Sequence, residues 1–263
     1  MDRASPLIAS LLGSLVAGLA TGVGALPVFI RPTWSKNTQR LMLAGSAGVM
    51  LSATFFSLLL PGLDIVRERG GAHPELNAVL TMGAGILLGA VLLWLLHAFV
   101  PHEHFYKGRE GRGGFHLGRN ALFVLAIALH NLPEGLSVGV AYGDGETFST
   151  GYAVTIGIGL QNMPEGLAVA AALINDGMGR GRAFTVALLT GLVEPLGGLL
   201  GAVAVSLSAI LLPWGFAFAA GAMLFVVSGE VIPETHREGA EQQATFAVVL
   251  GFVAMMALAR LLE

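Results

Sequence analysis

No charged residue stands anywhere between Glu194 and Glu230, and none falls within 7–30. A soluble fold cannot hide apolar runs of this length, because much of any folded surface faces water. Lipid removes that constraint, and a run of roughly 20 apolar residues crosses the bilayer core as a helix. Composition agrees: 54% of the 263 residues are hydrophobic and only 12% charged, where soluble domains carry about 25%. The mean hydropathy is +0.75. The sequence therefore predicts an all-α membrane protein, a single transmembrane domain over 1–263. Its eight transmembrane helices are expected at about 7–30, 41–63, 76–99, 121–142, 147–174, 183–211, 214–232 and 244–259. The turn that divides the uncharged stretch before Glu230 is placed at Leu212-Pro213-Trp214-Gly215. Residues 1–6 hold one Arg and one Asp. The run after them is too long for the core of a cleaved signal, so it reads as the first helix.

The net charge of −3 excludes a broadly basic nucleic-acid surface. The chain has no cysteine, which excludes a disulfide framework and any thiolate metal site. A metal must be held by His, carboxylate or amide oxygen. The 37 glycines permit close helix packing and identify no ligand.

Positively charged loops stay on the cytoplasmic side of a membrane. Of the 14 Lys and Arg, ten fall after helices one, three, five and seven: Arg31, Lys36, Arg40, Lys107, Arg109, Arg112, Arg119, Arg180, Arg182 and Arg237. The other side holds Arg3, Arg67, Arg69 and Arg260. This asymmetry places both termini outside the cell membrane. The run Ala47-Gly48-Val49-Met50-Leu51 in helix two is similar to Ala220-Gly221-Ala222-Met223-Leu224 in helix seven, and Pro61 and Pro233 follow at nearly equal distances. Helices two and seven cross in opposite directions. The likeness therefore points to an inverted repeat of helices 1–3 and 6–8 around a central 4–5 pair, an arrangement common in secondary transporters.

The chemistry is concentrated in that central pair. Helix four carries His130-Asn131-Leu132-Pro133-Glu134-Gly135, and helix five carries Gln161-Asn162-Met163-Pro164-Glu165-Gly166. His130 and Glu134 are four apart, as are Gln161 and Glu165, so each pair shares one helical face. Each proline removes a backbone donor and crowds the carbonyl four residues back, freeing main-chain oxygen beside the polar ladder. Glu194, followed by Pro195, adds a third carboxylate from helix six. An ionised group in mid-membrane costs at least ~3 kcal/mol. A dication bound among Glu134, Glu165, Glu194, His130, Gln161, Asn131 and Asn162 offsets that cost. Imidazole with carboxylate and amide oxygen is a borderline ligand set that suits zinc and tolerates Mn or Fe(II).

The paired motifs resemble those of the ZIP family of zinc-and-iron-type metal transporters, and look closest to its bacterial branch. The resemblance spans nearly the whole chain. It implies a metal site in the middle of helices four and five, with the helix-six glutamate contributing. Carried over residue by residue, His130, Asn131, Glu134, Gln161, Glu165 and Glu194 match. Relatives often carry Asp after the Gln and hold two ions; Asn162 stands here, so one tightly held ion is expected, with any second one weak. The resemblance also marks a secondary path. His102 and His104, with His97 earlier, lie where related loops handle released metal. Glu230, Glu234 and His236 resemble an exit-side site, with Gly229 where relatives often carry His. Asp64, at the outer end of helix two, is a candidate for attracting incoming cations.

These readings predict a zinc-uptake carrier that works by alternating access, and not an enzyme. Zn2+ is the cargo, or a similar ion such as Mn2+, Fe2+ or Cd2+, and no cofactor is expected. The expected partners are that ion and the lipid bilayer, with a homodimer as a candidate assembly. The alternative is an intramembrane metal-dependent hydrolase. Such an enzyme needs an open metal position holding activated water and a nearby base, and the chain has no His-Glu-x-x-His.

Overall fold

Lipid offers a backbone no hydrogen-bonding partner, so each apolar run must satisfy its own N–H and C=O groups as a helix. The computed structural model describes residues 4–31, 34–100, 102–104, 108–110, 119–143, 149–208, 210–236, 239 and 241–262. Among these are eight long helical segments: α1 (Ala4–Ala25), α2 (Lys36–Glu68), α3 (Pro74–Phe99), α4 (Arg119–Ala141), α5 (Ser149–Asn175), α6 (Arg180–Leu207), α7 (Leu211–Thr235) and α8 (Glu241–Leu262). Seven are long and apolar enough to cross a membrane. The exception is α5, whose middle carries Gln161, Asn162 and Glu165, which lower its hydropathy.

Several boundaries differ from the expected ones for local reasons. α2 starts at Lys36, not near 41, because the Ser35 side chain caps it by accepting from the Thr38 N–H at 3.0 Å. α8 starts at Glu241, whose carboxylate sits in the positive first turn. The start expected for helix five near 147 lies outside the described residues. Helix six, expected unbroken over 183–211, is interrupted at Leu192 and Val193. Pro195 has no N–H to return to Gly191, and the ladder tightens there. Val193 N–H donates to Thr190 O at 3.2 Å, and Leu196 N–H to Val193 O at 3.0 Å. The segment after α3, expected as a loop, contains a short antiparallel ribbon, β1 (His102–His104) with β2 (Gly108–Glu110).

The order of neighbours positions the site. α2 packs on α8 and α3 on α7, while α1 packs on α5 and α4 on α6. α4 and α7 are central: 67% and 61% of their apolar windows are buried, against 17% for α8. Consecutive helices alternate in direction. Asn37 Nδ2 donates to Gln243 Oε1 at 3.3 Å, and Arg180 Nη1 to Phe29 O at 3.4 Å, at one end of the bundle. Ser10 Oγ donates to Gly139 O at 3.3 Å, and Arg69 Nη1 to Ile210 O at 3.5 Å, at the other. The latter is the α1-start end. The former, which carries the α3–α4 and α7–α8 connections, is the opposite end. α2 and α7 each contain a π-helical stretch, Thr54–Leu59 and Val227–Val231, just before Pro61 and Pro233. A proline that withholds its N–H loosens the preceding turn, which accounts for both.

Candidate metal centre

The two Pro-Glu-Gly motifs fold as continuous helix, with Pro133 and Pro164 inside α4 and α5. The glycine of each has a specific task. A Cβ on Gly135 would lie 2.0 Å from Glu194 O, and one on Gly166 would lie 1.9 Å from Thr21 O. Only glycine lets α6 lie against α4 and α1 against α5 at this depth. The break in α6 then presents Glu194 in the first turn of the half-helix Glu194–Leu207, where the N-terminal dipole favours a carboxylate.

Asn131, Glu134, Gln161, Asn162 and Glu194 are completely buried. Their polar atoms divide into two groups. One is already satisfied: Ser46 Oγ donates to Gln161 Oε1 at 2.7 Å, and Gln161 Nε2 donates to Asn162 Oδ1 at 2.6 Å. Asn162 Nδ2 in turn donates to Glu194 Oε1 at 2.6 Å and to Ala17 O at 2.8 Å. The other group has no hydrogen-bond partner within the protein: the acceptors Asn131 Oδ1, both carboxylate oxygens of Glu134, Glu165 Oε1 and Glu194 Oε2, and one donor, Asn131 Nδ2. Buried acceptors left unpaired are costly, and carboxylates most of all. A dication among the oxygens would offset that cost.

A second constellation lies one turn toward the opposite end. Glu230, inside the π-helical stretch of α7, bridges two imidazoles. His130 Nε2 is 2.6 Å from its Oε2, and His97 Nε2 meets its Oε1. The three ligand atoms lie within 4.8 Å of one another, the tightest His and carboxylate grouping of its kind among the described residues. The rings of His97 and His130 stack with centroids 6.2 Å apart. His97 Nδ1 faces Leu93 O at 2.8 Å, and a carbonyl only accepts, so Nδ1 carries the proton. That leaves Nε2 a lone pair aimed at a carboxylate, an arrangement that calls for a proton or a cation between them. A backbone carbonyl that fixes the tautomer in this way is the usual support of a metal-ligating histidine.

The remaining candidates fall elsewhere. Asp64 accepts from Arg67 at 3.0 Å, and Arg67 also reaches Glu75 at 2.9 Å, so Asp64 has a cation from its own chain. His236 turns away from the Glu230 trio, with Nε2 3.0 Å from Thr245 Oγ1 on α8, and Glu234 is half-buried at the same end. His102 and His104 stand in β1, and their side chains lie outside the described residues. Two partners escape sequence reasoning: Ser46 and the Ala17 carbonyl. Nothing in the sequence marks a serine on α2 as touching a motif on α5, and a main-chain oxygen carries no sequence signal at all.

An apolar helical bundle with buried imidazole, carboxylate and amide side chains in its middle has the make-up of a multi-pass membrane metal transporter. Residues 107–259 match the family model described as ZIP Zinc transporter. Zinc transporter GufA of Myxococcus xanthus is 48% identical over 95% of this chain and 97% of its own length. Zinc transporter ZIPB of Bordetella bronchiseptica is 46% identical over 94% of this chain and 79% of its own. Human zinc transporter ZIP11 is 33% identical, with 97% of each chain covered. The chain belongs to the ZIP family of transporters. It is accordingly a transporter and not an enzyme, and in this family the metal is cargo.

Proposed function

We propose that this chain carries zinc, or a chemically similar divalent transition metal, into the cytoplasm by alternating access. The ion is held as substrate between α4, α5 and α6, by Glu134, Glu165, Asn131 Oδ1 and Glu194 Oε2; His130 and Gln161 reach it by exchanging their bonds to Glu230 and Ser46. The observation that carries this reading is the set of unpartnered buried acceptors in an apolar bundle. A dication among these acceptors would offset the cost of burying them. Both termini lie outside, following the Lys and Arg asymmetry. That makes the opposite end cytoplasmic.

Apolar packing supports a conformer closed toward the outer end. Glu134, Glu194, His97, His130, Glu165 and Glu230 are all buried. Toward the outer end the path is filled by apolar side chains, including Leu58, Val138, Ile158, Phe216 and Met223. An ion leaving inward meets Glu230 with His97 and His130. The inverted repeat would supply the second conformer. Exchanging helices 1–3 with 6–8 and 4 with 5 maps the α2–α8 pairing onto α7–α3 and the α1–α5 pairing onto α6–α4, and the matching π-helical stretches support the same symmetry.

The test is zinc uptake into proteoliposomes by Glu134→Ala and Glu165→Ala. Each should abolish uptake with the protein still folded in the membrane, and near-normal uptake by either would overturn the assignment.

A further inference from the structure

The hydrogen-bond chain through the centre has a direction that can be worked out from one end. Ala17 O is a main-chain carbonyl and the carboxylate of Glu194 is an acceptor, and both face the same edge of the Asn162 amide. That edge must therefore be Nδ2. Oδ1 must then face Gln161, which has to present Nε2 to it. Gln161 Oε1 is thereby turned to Ser46, whose hydroxyl is the donor that closes the chain. The same hydroxyl lies 3.0 Å from Gln161 O, so Ser46 grips both the side chain and the backbone of Gln161. Four helices, α2, α5, α1 and α6, meet through this relay. Reversing either amide would set acceptor against acceptor.

The relay also decides what Glu194 is available to do. The Asn162 amide nitrogen sits between Glu194 Oε1 and Ala17 O, the place a cation shared by two oxygens would take. Glu134 and Glu165 bring two negative charges and their unpartnered oxygens to the other side of the centre. Two carboxylates balance one dication.

We propose that Ser46 is a positioning residue that completes the relay, holding Gln161 in the orientation that Ala17 O and Glu194 dictate through Asn162. By holding Glu194 with an amide, the relay limits this centre to one divalent ion. This rests on the reading that the centre binds the transported metal. In an Asn162→Asp variant the new carboxylate cannot donate, so three acceptors would face one another and a second cation would be drawn in. Without the Ser46 hydroxyl, Gln161 loses the contact that holds its side chain in place, and its Nε2 no longer secures Asn162 Oδ1. The hold of Asn162 on Glu194 then loosens, and a weaker second ion should enter.

The experiment is calorimetric titration of zinc into the purified full chain, with bound metal counted by elemental analysis. With His97→Ala as the common background, which takes the His97–Glu230–His130 position out of the count, the otherwise unmutated protein should hold one ion, Asn162→Asp two, Ser46→Ala a second of lower affinity, and Ser46→Thr, which restores the hydroxyl, one again. A merely structural role for Ser46 would lower thermal stability without moving the number of ions. Two ions of comparable affinity in the otherwise unmutated protein overturn the proposal, as does a Ser46→Ala protein with unchanged stoichiometry and affinity. The Ser46 pair keeps it testable if Asn162→Asp fails to fold. Glu134→Ala in the same background separates the two levels: retention of the first ion by that variant would sink the centre itself, whereas its loss beside an otherwise unmutated protein that holds two ions would sink only the relay.

Discussion

Replacing Gly135 with Ala adds one methyl group at the point where α4 meets the break in α6. The new Cβ would lie 2.0 Å from Glu194 O and 2.6 Å from both the carbonyl carbon and the Cα of Glu194. All three are backbone atoms, so no side-chain rotation relieves the clash. Non-bonded heavy atoms settle at about 3.5 Å or more, so the helices must part by roughly 1.5 Å. The displaced element is the one that carries Glu194. Overpacking of this kind costs about 1–3 kcal/mol of stability. The larger effect should be on transport, because a ligand misplaced by ~1 Å can cost about a hundredfold in rate. Gly83→Ala is the matched control: its Cβ would have nothing within 4 Å, and the gain in helix propensity is up to about 1 kcal/mol. Zinc uptake and thermal unfolding should be measured for both variants in one lipid preparation. If Gly135→Ala transports at the rate of Gly83→Ala, close approach of α4 and α6 does not set the position of Glu194.

Two further outcomes follow from the same structure. Glu134→Gln should make the metal-free protein more heat-stable, since an unpartnered buried carboxylate is removed. It should also erase the stabilisation that zinc confers on the unmutated protein, roughly 2.7 kcal/mol at a hundredfold excess over Kd; equal zinc-induced shifts in Tm for the two would contradict the ligand assignment. Single cysteines in this cysteine-free chain report its orientation. His73→Cys should react with an impermeant reagent on intact cells and Lys36→Cys should not, and the reverse pattern would invert the proposed topology.

The fold class and the central motifs are legible in the sequence because membrane burial is unforgiving: a charge-free run has one solution, and a glutamate within it needs a reason. The two Pro-Glu-Gly motifs announce themselves by periodicity alone. What stays hidden depends on contacts between distant segments. His97 reads as one of several histidines beside a polar loop, yet the structure carries it to Glu230, and only packing of α3 on α7 could reveal that. Glu230 reads in the sequence as one of an exit-side group with Glu234 and His236; the structure buries it in the π-helical stretch before Pro233 and pairs it with His97 and His130 instead. His236, three residues beyond Pro233, takes a bond to Thr245 instead. Asp64 looks free in the sequence because its cation, Arg67, lies one turn along the same helix, a pairing the charge count does not weigh.

The placement of His130 has a consequence for turnover. It shares a helical face with Glu134, yet its Nε2 is held by Glu230 at 2.6 Å. One ring nitrogen cannot serve both an ion beside Glu134 and the carboxylate of Glu230. On the proposed reading, an ion in the centre would compete with Glu230 for His130, and recruitment of the ring to the ion would leave Glu230 and His97 available on the proposed cytoplasmic side. The competition weakens the hold of the centre and prepares the next position on the way out. Glu230→Gln removes the charge that competes. A hydrogen bond to a charged group is worth about 1.5–3 kcal/mol, which corresponds to roughly 10- to 100-fold in an equilibrium constant. The variant should therefore bind zinc more tightly and release it more slowly, lowering KM and maximal uptake rate together. Were KM to rise while the maximal rate held, Glu230 would be helping to capture the ion, and the exchange of His130 between two positions would be wrong.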